Sequence, residues 1–181
     1  MRNGYLDFDY YLELIEKTKV KLIEQGVRSA YKTAGKLEYC CYRLDKTADC
    51  ETKCAVGHHI LDEFYNPEFE DDTVFSISVQ EALKLSGIPT HDQIVIAILD
   101  KCQSVHDTSE PEDWEYLFEK LAFLVESLKQ AEEAKPNSVS KTLFKAKLHE
   151  WYSHWVTRET LDDFDFSPCL KKERLLEALQ K

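Results

Sequence analysis

Six soft metal-ligand side chains crowd into 20 residues: Cys40, Cys41, Cys50, Cys54, His58 and His59. Thiolate sulfur and imidazole nitrogen are the donors zinc prefers, four at a time in a tetrahedron. Cys50, Cys54 and His58 recur every four residues, a spacing that would line up three donors on a helix. Two features oppose that reading. No CxxC knuckle is present, and Gly57 argues against a continuous helix. The plainer account makes Cys41 and Cys54 buried residues of a compact hairpin, since free cysteine is among the most buried residue types. The metal alternative takes Cys41, Cys54, His58 and His106 as ligands and zinc as the ion; apart from it, no cofactor is expected. A third account is a reactive thiol, because Lys53 beside Cys54 would lower the thiol pKa.

The remaining chemistry-bearing motifs are weaker. His91-Asp92 and His106-Asp107 are His-Asp dipeptides. The helical phosphohydrolases named for such a pair hold metal with a distant His, the pair itself and a late Asp. His59, His91-Asp92 and Asp162 or Asp163 fall in that order, and the similarity stops there. The plainer account places both pairs at helix ends, where His suits a C-terminus and Asp an N-terminus. GxGxxG, Walker A, GxSxG and HExxH are all absent. The reading therefore leans away from an enzyme, with a metal-dependent hydrolase of the His-Asp type as the alternative.

Charge carries more information. The 181 residues hold 23 basic and 34 acidic side chains, a formal net charge of −11. Residues 1–50 have 9 basic and 8 acidic groups, and residues 137–181 have 8 and 7. Residues 51–136 have 6 basic and 19 acidic groups, a net −13. A broad cationic face for nucleic acid is thereby excluded. An acidic docking face is not. Its candidates are Glu68, Glu70, Asp71 and Asp72 in one run, and Glu110, Glu112, Asp113 and Glu115 in a second. A third run, Asp162 to Phe166, mixes carboxylates with rings. Carboxylates with adjacent aromatic rings suit contact with a basic protein surface; the plainer account is a solvated coat.

The elements that must position these residues are mostly helical. A first helix is expected from about Asp9 to Gln25, with Gly26 as its left-handed stop. Lys36 to Leu44 reads as a strand, and Lys53 to Gly57 as a second strand or turn, making a small antiparallel hairpin. Thr73 to Ile77 reads as an extended piece, followed by a capping box at Ser78 to Glu81. A second box, Thr90 to Gln93, opens a helix through the apolar run Ile94 to Leu99, whose all-round hydrophobicity marks it as the central core element. Pro111 starts a helix with Trp114, Leu117, Phe118, Leu121, Val125 and Leu128 facing inward. A further helix is expected over about 138–160, carrying Phe144, Leu148, Trp151 and Trp155, with Trp151 to Trp155 read as packing rather than a ligand cage. A last helix, capped by Ser167 with Pro168 at its first position, carries Leu175, Leu176 and Leu179. The expected class is α+β, mostly helical, with five to six helices and a small antiparallel hairpin. Residues 1–136 form one core domain, and 137–181 a C-terminal helical extension packed on it.

One block of sequence is recognisable. Cys41-Tyr42-Arg43, followed by Lys53-Cys54-Ala55-Val56-Gly57 and then Asp62, Tyr65 and Glu70, resembles a group of uncharacterised small bacteriophage and bacterial proteins with a "KCAVG…D…Y…E" block. In that group a His-Asp pair and a Trp-bearing helix follow, here His106-Asp107 and Trp114. The resemblance covers roughly residues 40–118. It implies a phage or mobile-element origin and no particular chemistry.

The N-terminus lacks the apolar run of a secretory signal, and the longest apolar stretch is too short to span a bilayer. A cytoplasmic address is expected, in the host cell if the chain is phage-encoded. There, structural disulfides are improbable. The leading expectation is an acidic phage-type protein that binds and inhibits or modulates a host protein, by charge mimicry of nucleic acid if that partner has a basic nucleic-acid-binding surface. No direct nucleic-acid or membrane contact is expected, and homo-oligomerisation stays open.

Overall fold

The computed structural model of the chain describes residues 6–33, 36–45, 51–70 and 72–156. It is mostly helical. Among the described residues, no helix is long and apolar enough to cross a membrane. Cys50, Asp71, Cys169, the Asp162 to Phe166 run and the expected last helix lie outside the described residues.

Helix α1 is Phe8–Gln25. Asp7 caps it by accepting a hydrogen bond from the Tyr10 backbone N–H, and Gly26 stops it at φ 67°, a conformation glycine adopts without Cβ strain. Phe8, Tyr11, Leu14, Ile15, Thr18 and Leu22 form its buried face. The four strands that follow are β1 (Ala30–Thr33), β2 (Lys36–Cys40), β3 (Arg43–Asp45) and β4 (Glu51–Lys53). They form two separate antiparallel pairs, β1 with β2 and β3 with β4. The strand expected over 36–44 is thus interrupted at Cys41 and Tyr42. The interruption has a cause: the Cys41 N–H turns to the Ser29 carbonyl at 2.8 Å, and the Tyr42 N–H to the Glu70 carboxylate. Beyond β4 the chain does not continue as a strand. It tightens into a 3-10 turn at Gly57–His59.

Helix α2 is Ile77–Leu85. Its cap is Ser76, whose hydroxyl accepts from the Val79 N–H, rather than Ser78. The extended piece expected over 73–77 is a turn instead, because Thr73 accepts from Phe75 through its hydroxyl and from Ser76 through its carbonyl. Helix α3 is Gln93–Thr108, capped by Asp92 rather than Thr90. Ile94, Val95, Ile96, Ile98 and Leu99 are all at most 1% exposed, as expected of the central element. Helix α4, Pro111–Ala134, buries the six residues expected of its inner face, with Leu124 in addition. Helix α5 is Lys141–Val156. Its Phe144 ring packs edge-on against Tyr11 and tilted against Phe8, joining α5 to the same core as α1. A salt bridge from Lys129 to Asp9 ties the end of α4 to the start of α1, so the two helices run antiparallel.

Candidate functional site

The recognisable block folds around the interruption between β2 and β3. Glu70 is the hub. Its two carboxylate oxygens accept from the backbone N–H groups of Tyr42 at 2.7 Å and Arg43 at 3.1 Å, and from the Tyr65 hydroxyl. Ionised acceptors bind such donors more strongly than neutral ones. Arg43 in turn stacks its guanidinium over the Tyr65 ring at 4.3 Å, donates to the Ile60 carbonyl at 3.0 Å and pairs with Asp62 at 2.7 Å. Lys53 reaches the same Asp62 oxygen at 2.8 Å. The Lys53 hydrogen bond, then the Arg43 charge, hold the Asp62 carboxyl below its ordinary range. Each member of the sequence block therefore serves this one knot: Tyr42 and Arg43 by backbone and side chain, Asp62, Tyr65 and Glu70 by their polar heads.

The second half of the block closes on the first. The Cys54 N–H donates to the Tyr42 carbonyl at 3.3 Å, and the Cys54 sulfur accepts from the Gly57 N–H at 3.3 Å. Gly57 lies so close to Tyr42 that an added Cβ would collide with the Tyr42 carbonyl. Val56 donates its N–H to the Gln103 side chain at 3.2 Å, which ties the turn to α3.

His106 is fully buried and stacks on Trp114 at 5.4 Å. Its Nε2 accepts from the Ser29 backbone N–H at 3.1 Å, so the ring proton is on Nδ1, which donates to Asp107 at 2.8 Å. The His106-Asp107 pair is thus a latch between the end of α3 and the residue before β1. His59 is a second latch. The Thr18 hydroxyl donates to the Leu14 carbonyl at 2.7 Å, so it accepts from His59 Nε2 at 2.7 Å. Burial first, then the nearby Lys21 and Lys17 charges, depress the His59 pKa to about 3. Burial, then Lys21 and Lys53, depress that of His58 to about 4. His91 is exposed beside the α3 cap.

The metal set is not assembled by this arrangement. Among the described residues, no group of three or more His, Cys, Asp or Glu side chains is placed to hold an ion. The physical reason is that the donors are already engaged: the Cys54 sulfur by Gly57, and both His106 nitrogens by Ser29 and Asp107. Cys41 and Cys54 are both buried free thiols. Lys53 does not activate Cys54, because burial dominates and pushes that thiol pKa up.

The acidic candidates divide by role. Glu68, Asp72, Glu110, Glu112 and Glu115 are exposed. Asp113 is half-buried in the first turn of α4. Glu110 pairs with Arg28 at 3.1 Å. Glu70 faces the knot and is committed there. In sequence Glu68 and Glu70 look alike; only the reach of Glu70 to two backbone N–H groups separates them. Ser29, Gln103 and Thr18 carry no motif. Thr18 alone left a trace, as a polar residue at a core position of the α1 face. No family model, curated protein or solved structure matches this chain.

Proposed function

We propose that this chain works by binding a protein partner through the acidic middle of its sequence, and that the partner is a host factor with a basic surface, one that itself meets nucleic acid. The observation that carries this reading is the concentration of charge: residues 51–136 hold a net −13 while the flanks are nearly neutral. Exposed Glu68, Asp72, Glu110, Glu112 and Glu115 supply its outer surface. A carboxylate array of this kind offers a basic groove the charge it would otherwise find on phosphate. The likeness of the Cys41 to Glu70 block to phage and bacterial proteins supports the host setting. The same reading takes the fold class as α+β, with the two short strand pairs as its β part, and the address as cytoplasmic.

The test is capture from bacterial lysate on the immobilised chain at low salt. A retained protein that is released by moderate salt, and lost when Glu110, Glu112 and Asp113 are reversed to Lys, is the expected result. Retention that ignores the triple reversal sinks the docking face.

A further inference from the structure

A cavity of about 210 Å³ opens beside the knot. One wall is a single face of α3, where Asp100, Gln103, Ser104 and Asp107 fall at helical spacing. The opposite side is built from Tyr42, Cys54 and the segment Asp72 to Val74. Three carboxylates line this space and no Lys or Arg does. Each carboxylate spends one oxygen on the protein. Asp72 Oδ2 accepts from Ser78, Asp100 Oδ2 pairs with Lys101, and Asp107 Oδ1 accepts from Gln103 and His106. The second oxygen of each has no protein donor among the described residues.

Tyr42 adds an independent sign. Its side chain is 6% exposed, yet its hydroxyl has no hydrogen-bond partner among the described residues. Buried hydroxyls are rarely left so. Burial, followed by the charges of Cys54, Asp72, Glu70 and Asp107, pushes its pKa up. Three of those four groups are walls of the cavity, which puts the phenol oxygen on the cavity side.

The space is too large for a bare ion, equal to about seven waters at roughly 30 Å³ each. The carboxylates are also not grouped to hold a metal. What fits is an organic cation whose charge and donors are spread over a plane. A guanidinium presents five N–H donors in a fork, sheds water more readily than an ammonium, and pairs with several acceptors at once. Val74 and Cys54 supply an apolar wall for the carbon atoms attached to it.

We propose that this cavity is a guanidinium-binding site, with Asp72, Asp100 and Asp107 as the charge partners and the Tyr42 hydroxyl as a further acceptor. The group arrives either on a free small molecule or as an arginine side chain of another protein; the recognition chemistry is the same. The site stands apart from the docking reading, since its test needs no partner.

The test is titration of the full chain with methylguanidinium chloride at constant ionic strength, followed by backbone amide NMR shifts. The expected result is saturable binding in the millimolar range, with shifts centred on residues 100–107 and 72–74. Methylurea, neutral and of the same shape, produces no saturation. Tyr42→Phe and Asp72→Asn each weaken binding by about fivefold, because each removes one acceptor for the ligand. Both variants keep the native spectrum elsewhere. Failure to saturate, equal response to methylurea, or unchanged affinity in both variants overturns the site. Comparing free arginine with an arginine flanked by blocked glycines then separates the two sources: tighter binding of the peptide marks a protein side chain, and tighter binding of the amino acid marks a small molecule.

Discussion

The Gly57 α-carbon faces the Tyr42 carbonyl with no room between them for a methyl group. This contact clamps the turn after β4 onto the break between β2 and β3. Backbone cannot yield as a flexible side chain can. Gly57→Ala should therefore cost about 3 kcal/mol, the upper part of the usual range for overpacking. Urea unfolding measures it. Gly87 is the control: its φ is 91°, but open space surrounds it, so Gly87→Ala bears backbone strain alone, about 1 kcal/mol. Equal losses at the two positions would contradict the clamp.

Glu70 and Glu68 separate by stability. Glu70→Gln removes the charge that two backbone N–H groups and a phenol share, and a neutral amide oxygen cannot replace both carboxylate oxygens. The expected loss is about 2 kcal/mol. Glu68→Gln, at an exposed position, should change unfolding by less than about 0.5 kcal/mol. If the two substitutions are indistinguishable, Glu70 is not the hub.

His59 makes the fold acid-sensitive in a defined window. Its ordinary pKa is 6.5, and in the folded chain it is held at about 3. Between those values the unfolded chain binds a proton that the folded chain excludes, so stability falls as pH drops below 6.5 and is level above it. From pH 6.5 to 5, where few carboxylates titrate, the loss from His59 is about 1.5 kcal/mol. His58, depressed to about 4, adds in the same direction. His59→Gln retains an amide donor toward Thr18 and should flatten the slope by that amount. An unaltered slope in the variant would refute the assignment.

The sequence was most legible where one period dominated. The run Ile94 to Leu99 and the inward face of α4 announced themselves by hydrophobic spacing, and Gly26 by its place after an amphipathic helix. Legibility fell where the chain is held by single polar atoms reaching far. His106 and Ser29 are 77 residues apart, as are no two members of any motif, and their bond has no signature in either neighbourhood. The same holds for Gln103 with Val56. The break at Cys41 and Tyr42 was hidden for that reason: locally the segment is a good strand, and only Ser29 and Glu70 bend it. The caps at Ser76 and Asp92 were each offset by two residues from those expected, because several adjacent polar residues competed for the role. Of the metal candidates, all were correctly placed in one region of sequence, but their donor atoms were already spoken for by backbone.

The latches between residues 28–56 and 103–110 also set an order in time. Arg28 bonds to Ser109 and Glu110, Ser29 to His106, and Val56 to Gln103. During synthesis, the segment carrying both strand pairs leaves the ribosome well before those partners exist. At roughly 5–20 residues per second, it waits several seconds for the end of α3. Over that interval Cys41 and Cys54 are open to whatever the surroundings offer, and only the arrival of α3 shuts them in. The thiols that are inert in the finished protein are, for the nascent chain, its most exposed chemistry.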